Sequence, residues 1–123
     1  MNNYTQITDL LGKTLTHINV DRVNDEILFK CSDGEQFRML HIQDCCEGVS
    51  IDDIVGDIDD LIGFPITMAE EAIDNTPKTE YGYTDESATW TFYKFATVKG
   101  YVNIKWYGQS NGYYSEGVDF VKL

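Results

Sequence analysis

Apolar and polar residues alternate through the first third of the chain. Ile18 and Val20 do so within Lys13 to Arg22, and Ile27, Phe29 and Cys31 within Asp25 to Ser32. A period of two places the apolar set on one side of a strand. Asn24-Asp25 and Ser32-Asp33-Gly34 supply turn residues between these runs and a third, Gln36 to Ile42. Together they predict a three-stranded antiparallel meander. Ahead of it, Ile7, Leu10 and Leu11 have helical spacing and stop at Gly12, which predicts a short N-terminal helix or turn.

The pattern changes after Gly48. Ser50 followed by Asp53 resembles a capping box, and Ile51, Ile54, Val55, Ile58, Leu61 and Ile62 fall on one helical face opposite Asp52, Asp53, Asp57, Asp59 and Asp60. This predicts the main amphipathic helix, weakened by Gly56 by about 1 kcal/mol relative to Ala and closed by Gly63 and Pro65. Ile66 to Ile73 is read as a strand, although Met68-Ala69-Glu70-Glu71-Ala72 also supports helix. Asn75 to Ser87 is the least hydrophobic stretch and reads as a long exposed loop or a ragged hairpin, a candidate lid. Three strand-like runs follow, Ala88 to Val98, Tyr101 to Tyr107 and Tyr113 to Leu123, with a tight-turn signal at Asn111-Gly112. The expected fold is one α+β domain: an antiparallel sheet of about six strands, one main amphipathic helix and a short N-terminal helix.

Composition narrows the partners. At 123 residues the chain is long enough to bury a core without disulfides. Its net charge of −12 argues against duplex nucleic acid and anionic membrane as partners, since both require Lys and Arg against phosphates. A small phosphorylated ligand remains compatible, because backbone N–H groups and one or two cations hold a phosphate locally. The three cysteines, Cys31, Cys45 and Cys46, are an odd count, and the opening Met1-Asn2-Asn3-Tyr4 has no targeting pattern. Both observations argue against a disulfide framework and for a cytoplasmic setting.

Two constellations carry chemistry. His41-x-Gln43-Asp44-Cys45-Cys46-Glu47 gathers an imidazole, carboxylates and thiols. It reads as a Cys–His nucleophile pair, as a metal site, or as a turn whose polar groups bond the backbone; the turn is preferred, because adjacent thiols diverge in extended backbone. No metal site, cofactor motif or catalytic group is assigned. The other is the aromatic last third, with Thr89-Trp90-Thr91-Phe92-Tyr93, Lys105-Trp106-Tyr107 and Ser110-Asn111-Gly112-Tyr113-Tyr114-Ser115. Rings interleaved with neutral hydrogen-bonding groups suit a flat polar ligand, with stacking on faces and Asn, Ser and Thr on edges. Trp90, Phe92, Asn111, Tyr113 and Tyr114 are the candidate ligand contacts. Arg22, Arg38 and Lys105 are the candidate cations for a diphosphate.

These blocks, together with Gly56-Asp57-Ile58-Asp59-Asp60-Leu61-Ile62-Gly63, resemble small phage and prophage proteins that include the type-one Thoeris anti-defence sponges. The resemblance runs from about Leu11 to Phe120. It implies a homodimer or higher homo-oligomer that sequesters a cyclic ADP-ribose isomer, glycocyclic ADP-ribose, made by a bacterial TIR-domain protein. The ligand is not cleaved, so the defence effector is never activated. By motif it carries over to Trp90, Phe92, Asn111 and Tyr113. A sponge needs shape and stacking but no acid, base or nucleophile. The rivals are an acidic inhibitor of a host defence protein, an enzyme degrading the signal through His41, Asp44 or Cys45, and, more distantly, a virion component.

Overall fold

The structure is a computed structural model describing residues 3–75, 79–80, 83–84 and 87–123. It contains two four-stranded antiparallel sheets packed face to face. β1 (Leu15–Asp21), β2 (Glu26–Cys31) and β3 (Gln36–Leu40) form the meander that alternation predicts. β4 (Gly48–Val55), β5 (Met68–Asp74), the short pair β6 (Thr79–Glu80) and β7 (Tyr83–Thr84), β8 (Ser87–Thr97), β9 (Gly100–Ser110) and β10 (Asp119–Lys122) complete the chain. The first sheet has the order β1-β2-β3-β10 and the second β4-β9-β8-β5. Segment 41–47 carries the chain from the first sheet to the second. Segment 111–118 carries it back, so Asn111-Gly112 bends a crossover instead of closing a hairpin.

Alternation explains why the sheets meet. Ile27, Phe29, Phe37 and Met39 point inward from the first sheet; Tyr93, Phe95, Val102, Ile104 and Trp106 do so from the second, all at most 1% exposed. Phe29 touches Phe95 across the interface at 5.8 Å between centroids, and Phe120 stacks on Phe37 at 5.3 Å. Each such pair adds about 0.5–1.5 kcal/mol beyond the area it buries.

The helical expectations are corrected. Among the described residues there is no α-helix: the N-terminal element takes the turn alternative, a 3-10 turn at Ile7–Leu10, and the predicted main helix is β4 followed by a 3-10 turn, Ile58–Leu61. The α+β class with about six strands in one sheet therefore gives way to a β-sandwich. The cause lies in a bulge. Ile51 opposes Trp106 and Ile54 opposes Ile104, with Asp52 left as the extra residue between them. A bulge adds one residue to the two-residue period, so inward positions stand three apart and imitate a helical face. β-branched residues favour the strand. Gly56 ends it at φ +104°, where a Cβ would lie 2.6 Å from the Tyr101 carbonyl oxygen. Much of the candidate lid, residues 76–78, 81–82 and 85–86, lies outside the described residues.

Candidate functional site

The outward face of the second sheet carries what the core excludes. In the β8–β9 register Trp90 lies opposite Tyr107 and Phe92 opposite Lys105; β5 brings Asp74 beside Trp90 and Ala72 beside Phe92. Because Thr91, Tyr93 and Phe95 take the inward positions, strand period forces Trp90 and Phe92 outward. Their rings lie nearly parallel, 15° between planes and 6.2 Å between centroids, and Tyr107 leans on Trp90 at 4.6 Å. Trp90, Phe92, Lys105, Asp52 and Asp74 line an open cleft of about 320 Å³. Asp52 takes its place there as the extra residue of the bulge.

The cleft thus joins three of the eight candidate residues, Trp90, Phe92 and Lys105. The other five lie elsewhere. Asn111, Tyr113 and Tyr114 sit on the crossover after β9, where the Asn111 Oδ1 accepts from the Tyr113 N–H at 3.1 Å, and the Tyr113 ring is 86% exposed. Arg38 lies in β3 of the first sheet, its Nε 3.7 Å from the Glu26 carboxylate. Arg22 is in the exposed turn after β1. The polar partners sequence reasoning missed are Asp52 and Asp74. Asp74 was recoverable from strand period once β5 was aligned with β8; Asp52 required knowledge of the bulge.

The His41 constellation is a structural joint. The buried Glu47 carboxylate accepts from the Asp44 and Cys45 N–H groups, both at 2.9 Å, and from the His41 Nε2 at 2.8 Å. Burial pulls the Glu47 carboxyl upward, but the Cys45 and Asp44 amides and the His41 ring outweigh it and hold it at about 2. The His41 Nδ1 meets the Gly117 carbonyl at 2.7 Å, which ties segment 41–47 to the crossover of residues 111–118. The Cys45 and Cys46 sulfurs are joined to each other, contrary to the diverging thiols expected of extended backbone; a bend at this position brings them together. Cys31 is free and buried.

A second buried carboxylate holds the crossover from the other side. Glu116 accepts from the Thr89 hydroxyl at 2.8 Å and from the Ser110 hydroxyl. Burial opposes the charge, yet the hydroxyls of Ser110, Ser87 and Thr89 keep the carboxyl below its usual range. Gly108 makes the approach possible, since a Cβ there would lie 2.4 Å from the Glu116 carbonyl oxygen.

Among the described residues no helix is long and apolar enough to cross a membrane, and no group of three or more His, Cys, Asp or Glu could hold a metal ion. No curated protein and no solved structure matches the chain. One family model, described as Domain of unknown function (DUF7448), matches residues 8–120, nearly the full length, and the chain belongs to that family.

Proposed function

We propose that this chain is a binding protein that sequesters a cyclic ADP-ribose isomer without converting it. The observation that carries the reading is the joining of parallel Trp90 and Phe92 rings with Lys105, Asp52 and Asp74 in one cleft. The rings offer a stacking surface for adenine, worth about 1–3 kcal/mol per base. Lys105 takes the diphosphate, and the two carboxylates accept from the hydroxyls of the two riboses. Arg22 and Arg38, both outside the cleft, are released from the diphosphate role. The resemblance to Thoeris sponges narrows the ligand to the TIR-domain product glycocyclic ADP-ribose and points to a homo-oligomer acting in the bacterial cytoplasm. Against His41 as a catalytic base stands its own bonding, since both of its ring nitrogens face acceptors of this chain, the Gly117 carbonyl and the Glu47 carboxylate.

The test is incubation of the protein with the products of an activated TIR enzyme, removal of free small molecules, heat release and mass spectrometry. An intact cyclic isomer at no more than one per site supports the proposal. A linear product, turned over beyond the number of sites, would establish the enzyme instead.

One observation favours the second reading, an acidic inhibitor of a host defence protein. Carboxylates outnumber the lysine in the cleft, and Asp53 on β4 and Glu70 on β5 extend the negative surface on the same face. A basic protein surface complements this charge. Salt-sensitive co-purification of a host protein, with no nucleotide released, would select that reading.

A further inference from the structure

Four strand edges border the two sheets, and three of them are blocked. The β10 edge is taken by the N-terminal segment: the Thr5 N–H donates to the Phe120 carbonyl and the Lys122 N–H to the Asn3 carbonyl, both at 2.9 Å. The β4 edge is broken in its middle by the bulge at Asp52. The β5 edge carries exposed Glu70, Glu71 and Asp74. Bulges, charges and covering segments are the usual means of keeping an edge from pairing.

β1 is different. Its bulge lies at the start, between Leu15 and His17, and from His17 to Asp21 it pairs regularly with β2 on one side. Among the described residues no backbone hydrogen bond reaches its other side beyond Leu15. Its inward residues, Ile18 and Val20, are only half-buried, whereas their β2 partners Phe29 and Ile27 are fully buried. The core is left incompletely covered here. Beside the strand lies a cleft of about 360 Å³ lined by Thr16, His17, Leu28, Lys30 and Ile62. His17 and Lys30 stand opposite each other in the register, on the outward face.

We propose that the β1 edge receives an extended peptide segment of a partner protein as a fifth strand of the first sheet. Main-chain hydrogen bonds supply the pairing, and alternate side chains supply the selectivity. Apolar residues of the added strand cover Ile18 and Val20. Of the intervening positions, one faces His17 and Lys30, the next Asn19 and Leu28, and the last Asp21 and Glu26. The partner segment is therefore about five to seven residues that alternate apolar and polar side chains, acidic at the His17 end and basic at the Asp21 end. The site is independent of the aromatic cleft, which lies on the other sheet.

The test uses the full chain, labelled with ¹⁵N, and a capped seven-residue peptide, Val-Lys-Val-Thr-Val-Glu-Val, which in antiparallel pairing sets its lysine beside Asp21 and its glutamate beside His17. Expected are saturable shifts confined to residues 16–21 and 28–30, and slowed amide exchange in β1. The same peptide N-methylated at every second amide retains its side chains but cannot pair, and is expected to bind at least tenfold more weakly. Lys30→Glu, at an exposed position, is expected to cost a similar factor and leave the spectrum otherwise folded. Absence of binding, equal binding of the methylated peptide, unchanged affinity of Lys30→Glu, or shifts centred on β5 would each overturn the proposal.

Discussion

Two regions of this molecule collect polar and aromatic side chains, and they use them in opposite ways. At the crossover end, Glu47 and Glu116 are buried and surrounded by donors from His41, backbone amides and three hydroxyls. Their hydrogen-bonding capacity is spent on joining two segments of chain. On the outward face of the second sheet, Asp52, Asp74 and Lys105 surround Trp90 and Phe92 in a cleft open to solvent. A carboxylate buried among its own chain's donors is a fastening, whereas one exposed beside parallel rings borders the space a ligand would fill. Polar composition alone does not separate the two; burial does.

The largest effect expected from breaking the contrast is on stability. Glu116→Ala removes the acceptor shared by the half-buried hydroxyls of Ser87, Thr89 and Ser110 and should cost about 1–3 kcal/mol. Its thermal midpoint should fall the furthest, while any ligand retained by the folded fraction binds as before. Gly108→Ala, which drives a methyl against the Glu116 backbone, should cost about 1–3 kcal/mol in denaturant unfolding.

Acid probes the same end. The Glu47 carboxyl is held at about 2 in the folded chain, below the unfolded value of about 4.3. The folded state thus binds the proton less readily than the unfolded one. The resulting stability is complete above about pH 5 and drains away as pH falls toward 2. Melting curves across that range should show the loss, and Glu47→Gln should flatten the slope.

Substitutions in the cleft should do the reverse, sparing the fold and removing affinity. Trp90→Ala and Phe92→Ala each remove a stacking surface and should weaken nucleotide binding by about 1–3 kcal/mol in calorimetry. Tyr113→Ala, at a position exposed to solvent, should change stability by less than about 0.5 kcal/mol and binding hardly at all. A large loss of binding there would move the site to the crossover.

The sequence made the strands legible wherever alternation was uninterrupted. β1, β2, β3, β8 and β9 each fall on a run whose apolar residues stand two apart, and the ring pair Trp90 and Phe92 follows from the same period; β5 has no such period, and its sequence supports helix as well as strand. Ser50 to Ile62 failed for a local reason: a single extra residue, Asp52, converts a strand's spacing into a helix's. The candidate cations divide for a global one: Lys105 lines the cleft, whereas Arg22 and Arg38 lie outside it. Whether Arg38 or Lys105 shares a cleft with Trp90 depends on which sheet each strand joins, and that is decided by the crossovers, whose anchors Glu47 and Glu116 have no periodic signature. Asn111 and Tyr113 join the rings through the motif resemblance, and the chain leaves the second sheet at that point.

The two tryptophans provide the most direct test of the central claim, because Trp90 lines the cleft and Trp106 is buried in the core. Titrating ¹⁵N-labelled protein with a cyclic ADP-ribose isomer and following the two indole N–H resonances separates the faces of the second sheet in one experiment. A saturable shift of the Trp90 indole, with that of Trp106 nearly stationary and the response lost in Phe92→Ala, is the predicted result. A stationary Trp90 indole at saturating ligand, or shifts concentrated at residues 111–118, would contradict it.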